Sequence, residues 1–182
     1  MKYDDRKMQE LILYIADRQK GDGGYGRVKM AKLLFYSDFE AFARLGAPVT
    51  GATYIKRPQG PLAKEFLPAQ SRLLAAQDLR EDAVEVGPYT QYRLVALRDS
   101  NLEVFSPEEI AVVDEVIHTH EGWSGKEISD KSHEELVWDV PAMDSHIPYS
   151  AYLVSAEPAD PELIERAHRI VKDENLVSAS AV

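Results

Sequence analysis

Arg27-Val28-Lys29-Met30-Ala31-Lys32-Leu33-Leu34-Phe35-Tyr36-Ser37-Asp38-Phe39-Glu40-Ala41-Phe42-Ala43-Arg44-Leu45, closed by Gly46, is the stretch on which the fold turns. Its large apolar side chains do not form one narrow stripe. Val28, Met30, Leu33, Leu34, Phe35, Phe39, Phe42 and Leu45 spread over most of a helical wheel. A helix of that kind is contacted on several sides, which places it at the centre of the core. The remaining strip carries Lys32, Tyr36 and Glu40, four residues apart and therefore in line on one face.

Working outward, residues 4–20 predict an amphipathic helix with Met8, Leu11, Ile12 and Ile15 at i, i+3, i+4, i+7. It stops at the breaker-rich Gly21-Asp22-Gly23-Gly24-Tyr25-Gly26. Downstream, residues 53–57 read as a short strand closed by Pro58. Pro61 then suits the first turn of a third helix running to about Gln77, with Pro68 expected to kink it. Val84 to Val86 and Tyr92 to Val95, joined by Gly87-Pro88, predict a small hairpin. Three Ser-x-x-Glu capping boxes follow, at Ser106/Glu109, Ser124/Glu127 and Ser132/Glu135. They predict a helix over 107–120 and two short ones over 125–131 and 133–139, before a last helix over 161–173 and a frayed end. The fold class is mainly α (α+β): a multi-helix domain with a small antiparallel hairpin and short strands. The expected division is a domain over 1–155 and a C-terminal helix with its tail over 156–182.

Composition narrows the function. The chain has 182 residues, 29% of them charged, and no cysteine, which excludes disulfides and thiolate zinc sites. No apolar run has the length of a signal peptide or a membrane span, so the cytoplasm is the expected location. The net charge of −10 is unevenly placed. Residues 1–98 hold 16 Lys/Arg against 12 Asp/Glu, and residues 99–182 hold 5 against 19. The acidic half repels a phosphate backbone and draws a basic partner. Nucleic acid is accordingly an unexpected partner.

Motifs for catalysis are weak. Gly21-x-Gly23-x-x-Gly26 matches the dinucleotide fingerprint literally, but it follows a helix rather than a strand, and Asp22 opposes a pyrophosphate. His118 and His120 stand two apart on a helix and point in different directions, so no metal is expected there. There is no Gly-x-Ser-x-Gly elbow, and the paired acids sit at helix starts, where the macrodipole favours them. The reading is a protein without catalysis or cofactor. Its most distinctive feature outside the core is Tyr54-Ile55-Lys56-Arg57-Pro58-Gln59-Gly60-Pro61, a platform stiffened by two prolines and able to present Arg57 and Gln59. Trp138 is expected in the core and Trp123 as a staple beside the Ser124 cap.

Taken in order, Lys32 to Tyr36, Gly51 with Tyr54, Gly60-Pro61, Ser132-His133-Glu134-Glu135 through Trp138, and Ile147-Pro148-Tyr149 resemble the Panacea family. These are the SocA-like antitoxin domains of bacterial toxin–antitoxin systems. The likeness runs from about residue 8 to 155, and its specificity lies in order and spacing. Ser132 stands where Thr is usual, and Val137 where Pro often precedes the Trp. The resemblance implies an antitoxin that neutralises a protein toxin, encoded by an adjacent gene, through direct contact. The expected toxin contacts are Lys32, Tyr36, Tyr54, Arg57, Pro58, Gln59, Gly60 and His133. Two other readings stay open. One is a winged-helix-like DNA regulator with Lys56, Arg57, Lys64 and Arg72 facing phosphate. The other is an adaptor delivering a partner to a protease.

Overall fold

The computed structural model describes residues 2–134 and 141–153. Helix α1 (Asp5–Arg18) starts where the Asp4 carboxylate accepts from the Lys7 amide at 3.0 Å. Its Met8, Leu11, Ile12 and Ile15 are fully buried. Helix α2 (Arg27–Leu45) ends as Gly46 adopts the left-handed conformation (φ 78°) and returns its N–H to the Phe42 carbonyl. As its wide apolar face requires, α2 is the hub of the fold. Helices α1, α4 (Pro107–Thr119) and α5 (Gly125–Glu134) pack on it, as do both hairpins and the 3-10 helix Tyr149–Leu153.

Strands β1 (Tyr54–Arg57) and β2 (Gly60–Ala63) form the first hairpin, with Arg57 opposite Gly60 and Lys56 opposite Pro61. Pro61 therefore lies in a strand, not in the first turn of a helix. The strand tolerates it because a proline lacking its N–H is harmless at the edge of a two-stranded sheet. Helix α3 (Phe66–Ala75) begins five residues later and runs unbroken. Pro68 falls in its first turn, where a missing N–H breaks no helical bond, and so the expected kink is absent. The outer edge of β1 is taken by residues 144–147: the Lys56 amide donates to the Ser145 carbonyl at 3.0 Å, and the Ile147 amide to the Tyr54 carbonyl at 2.9 Å.

The second hairpin, β3 (Leu79–Val86) with β4 (Tyr89–Ala96), is longer than its alternating segments suggested. Leu79, Leu94 and Ala96 are buried at its base, so the charged Arg80-Glu81-Asp82 run is paired before the exposed tip is reached. Gly87 (φ 59°) supplies the positive φ of its two-residue turn.

Two of the three capping boxes form. Ser106 and Glu109 cap α4 reciprocally, and Ser124 and Glu127 do the same for α5. Ser132 instead sits inside α5, where its hydroxyl donates to the Ser129 carbonyl at 2.7 Å. One helix thus spans 125–134, and the expected break at Ser132 does not occur. The expected segments beyond Glu134 that include Trp138, and the C-terminal helix and tail, lie outside the described residues.

Candidate functional site

The site grows from two buried polar residues of α2. Asp38 is fully buried and gathers donors from three directions: the Thr50 amide at 2.6 Å, the Thr50 hydroxyl at 2.5 Å and the Tyr54 phenol at 2.8 Å. Burial pushes its carboxyl up to about 6, against the opposing pull of those hydrogen bonds. The Tyr54 hydroxyl oxygen also stands 2.9 Å from the Leu34 carbonyl, so its one hydrogen is shared between the two acceptors. This cluster pins the loop entering β1, and Phe35, Phe39 and Tyr149 pack edgewise or tilted around it. Asp38 carried a sequence signal: an acid on the face of α2 that also holds Leu34 and Phe35 has to be satisfied internally.

Six residues earlier, Lys32 is only 2% exposed and donates its ammonium hydrogen bond to the Pro61 carbonyl at 3.0 Å. Burial lowers its pKa to about 7. The same Nζ lies under Gly60. A Cβ on Gly60 would come within 2.4 Å of the Ser132 hydroxyl oxygen and 2.7 Å of the Lys32 nitrogen, and Gly60 has φ 92° besides. Only glycine meets both demands at that position. Ser129 completes the base, its hydroxyl donating to the Gln59 carbonyl at 2.8 Å. The turn Arg57-Pro58-Gln59-Gly60 is thereby held from below by α2 and α5. Arg57, Pro58 and Gln59 themselves are exposed.

The expected contact residues therefore separate into two groups. Arg57, Pro58 and Gln59 face solvent, with Arg57 in an ion pair to Asp144. Lys32 and Gly60 are buried in the base of the turn, and Tyr54 is buried away from it against Asp38. His133 is half-buried near this base, and its pKa is lowered by burial and then by Lys32. Tyr36 is buried elsewhere, stacked on His120 at 4.8 Å with the rings 23° apart. His120 makes its Nδ1 contact with the Val116 carbonyl at 2.8 Å, and burial lowers its pKa. His118 is exposed, so the two histidines do part as their spacing requires. Among the described residues no three metal-ligating side chains converge.

The glycine-rich loop has a structural task that its motif did not suggest. Asp22 binds the buried Lys29 at 2.6 Å, the Gly24 amide at 2.7 Å and the Gly122 amide at 3.2 Å. Burial raises its pKa, but these bonds outweigh it and leave the carboxyl below its usual range. Of the residues of the DNA reading, Lys56 is buried and Arg57 and Arg72 form exposed ion pairs with Asp144 and Asp5, while Lys64 is exposed.

The described residues thus form an α-rich scaffold that holds one exposed turn from below. The chain matches the family model "Antitoxin SocA-like, Panacea domain" over residues 30–139, a span from α2 through α5, and it belongs to that family. No curated protein and no solved structure matches it. No helix among the described residues is long and apolar enough to cross a membrane.

Proposed function

We propose that this protein is the antitoxin of a toxin–antitoxin pair, that it neutralises its toxin by direct protein contact without catalysis of its own, and that the Arg57–Gly60 turn lies at the centre of that contact. Family membership supports a toxin partner in general. The observation that supports the surface is the contrast between an exposed Arg57-Pro58-Gln59 and its fixed base of Lys32, Ser129 and Ser132. A turn pre-organised in this way loses little conformational entropy on binding. The net charge of −10 favours a basic toxin surface, such as one that handles RNA or nucleotides.

The test is co-expression with the adjacent gene in the cytoplasm, scoring growth and co-purification. Growth arrest by the neighbour, relieved by this protein with recovery of a complex, supports the reading. Arrest without relief or complex, or a harmless neighbour, sinks it.

A further inference from the structure

The outer half of the β3–β4 hairpin has no part in the core. From Ala83 to Tyr92 no residue is buried, and Val86 and Tyr89 are exposed at the tip. The direction of its backbone groups follows from one hydrogen bond. The Leu97 amide donates to the Asp78 carbonyl at 2.8 Å, which makes 78 and 97 a hydrogen-bonded pair at the foot of the ladder. In an antiparallel ladder such pairs alternate with open ones. Counted up the register, Val84 opposite Gln91 and Val86 opposite Tyr89 are bonded pairs, whereas Ala83 opposite Tyr92 and Glu85 opposite Thr90 are open. Ala83 and Glu85 therefore turn their N–H and C=O groups away from β4, and both residues are exposed. Among the described residues nothing bonds to those groups.

A free edge of this kind accepts an extended backbone as a further strand. Edges are commonly closed by lysine, proline or a bulge. β3 has none of these, and its eight residues pair with β4 without interruption. β4 is the strand that rests on the body: Arg93 donates to the Gly23 carbonyl at 2.9 Å, and Arg27 lies over the Tyr92 ring at 4.7 Å.

The side chains of β3 decide what its edge admits. Ala83 and Glu85 share one face with Glu81, and Val84 and Val86 stand on the other. Glu81 is answered by the Gln70 amide at 2.8 Å and by Arg27 at 3.4 Å. Glu85 accepts only the Thr90 hydroxyl at 3.0 Å, so among the described residues no cation balances it. A second copy of β3 is repelled, because pairing Ala83 with Ala83 sets Glu81 opposite Glu85 twice. A basic residue beside Glu85, with aliphatic neighbours against Val84 and Val86, is complementary.

We propose that the β3 edge takes up an extended segment of a partner protein as a third strand, and that this segment alternates basic and aliphatic residues. Such docking requires neither the Arg57–Gly60 turn nor a particular toxin.

The experiment is amide hydrogen exchange of the full chain by NMR, titrated with the peptide Lys-Val-Lys-Val-Lys-Val-Lys and separately with Glu-Val-Glu-Val-Glu-Val-Glu, both blocked at their ends. In the free chain the Ala83 and Glu85 amides should exchange fast, and those of Asp82 and Val84 slowly. The basic peptide should slow Ala83 and Glu85 about tenfold when present at roughly nine times its Kd, and the acidic one not at all. Ala83→Pro removes an outward N–H where an edge strand tolerates proline, and should abolish the slowing at Glu85, while Ala83→Val keeps it. The Asp82 and Val84 amides report whether Ala83→Pro preserves the ladder, and the parent titration decides alone if it does not. No saturable slowing at Ala83 and Glu85, or equal slowing by both peptides, overturns the proposal. So does slow exchange at both amides in the dilute free chain, which means that the chain covers its own edge. Slowing that grows with protein concentration alone means a second copy, and overturns it too. The antitoxin reading survives any of these results, because growth and co-purification test it separately.

Discussion

Gly60→Ala should destabilise this protein far more than an exchange of one hydrogen for a methyl suggests. Two independent costs arise at the same atom. The backbone at φ 92° is a conformation that side-chain-bearing residues avoid, worth about 1–2 kcal/mol. The new Cβ would also stand 2.4 Å from the Ser132 oxygen and 2.7 Å from Lys32 Nζ, so packed groups have to move. Overpacking of that kind costs about 1–3 kcal/mol. The expected loss is about 2–5 kcal/mol, which for a chain of this size lowers the melting temperature by roughly 5–15 °C. Thermal unfolding followed by circular dichroism measures it. A double-mutant cycle with Ser132→Ala isolates the steric part. With the hydroxyl gone, Gly60→Ala should cost about 1 kcal/mol less, whereas distant sites simply add. A Gly60→Ala protein that melts with the parent, or a cycle with no coupling, would refute the account of how the turn is held.

Other outcomes follow from the same scaffold. Lys32 has a folded pKa of about 7, below its value in the unfolded chain, so the unfolded state binds more protons between about pH 7 and 10. The parent should gain stability over Lys32→Met as pH rises through that window, by at most about 1.4 kcal/mol per pH unit, read from urea midpoints. Asp38 has the opposite sign. Its folded pKa of about 6 lies above the unfolded value, so its contribution is present at low pH and is lost as pH rises from about 4 to 6. A flat difference between the parent and Asp38→Asn over that range would contradict this. Asp38→Ala, which strands the Thr50 amide and hydroxyl and leaves the Tyr54 phenol with only the Leu34 carbonyl, should cost about 3–5 kcal/mol in denaturant unfolding. Arg57→Glu breaks an exposed pair with Asp144 and should change stability by no more than about 1 kcal/mol, while abolishing co-purification with the toxin.

The parts of the fold that could be read in the sequence are those fixed by neighbours along the chain. The apolar spacing of α1, the broad face of α2 ending at Gly46, and the Ser106 and Ser124 caps all carry their reasons within a few residues. Pro61 and Ser132 were misread because their roles are set from a distance. Pro61 is drawn into a strand by pairing with Lys56 and by the Lys32 ammonium. Ser132 carries a perfect capping pattern, yet it stays inside a helix that packs on α2 and β2. The exposed turn was legible from Arg57-Pro58-Gln59-Gly60 itself. Its base was not, since Lys32 and Ser129 come from helices 29 and 70 positions away from the residues they hold. That Lys32 and Tyr36 lie in line on α2 said nothing about exposure, because the polar strip of a central helix is covered by other elements.

The pairing of residues 144–147 with β1 limits how another chain can join this molecule. Short sheets commonly recruit partners by accepting one more strand along an open backbone edge. Here one side of the β1–β2 sheet is already occupied by the 144–147 segment, and the other is β2, four residues long, with a proline that has no N–H to give. Neither side offers a row of free backbone groups. A partner meeting this face has to recognise side chains and the shape of the turn, and so a different partner can be accommodated by changing a few exposed residues while the scaffold beneath stays as it is.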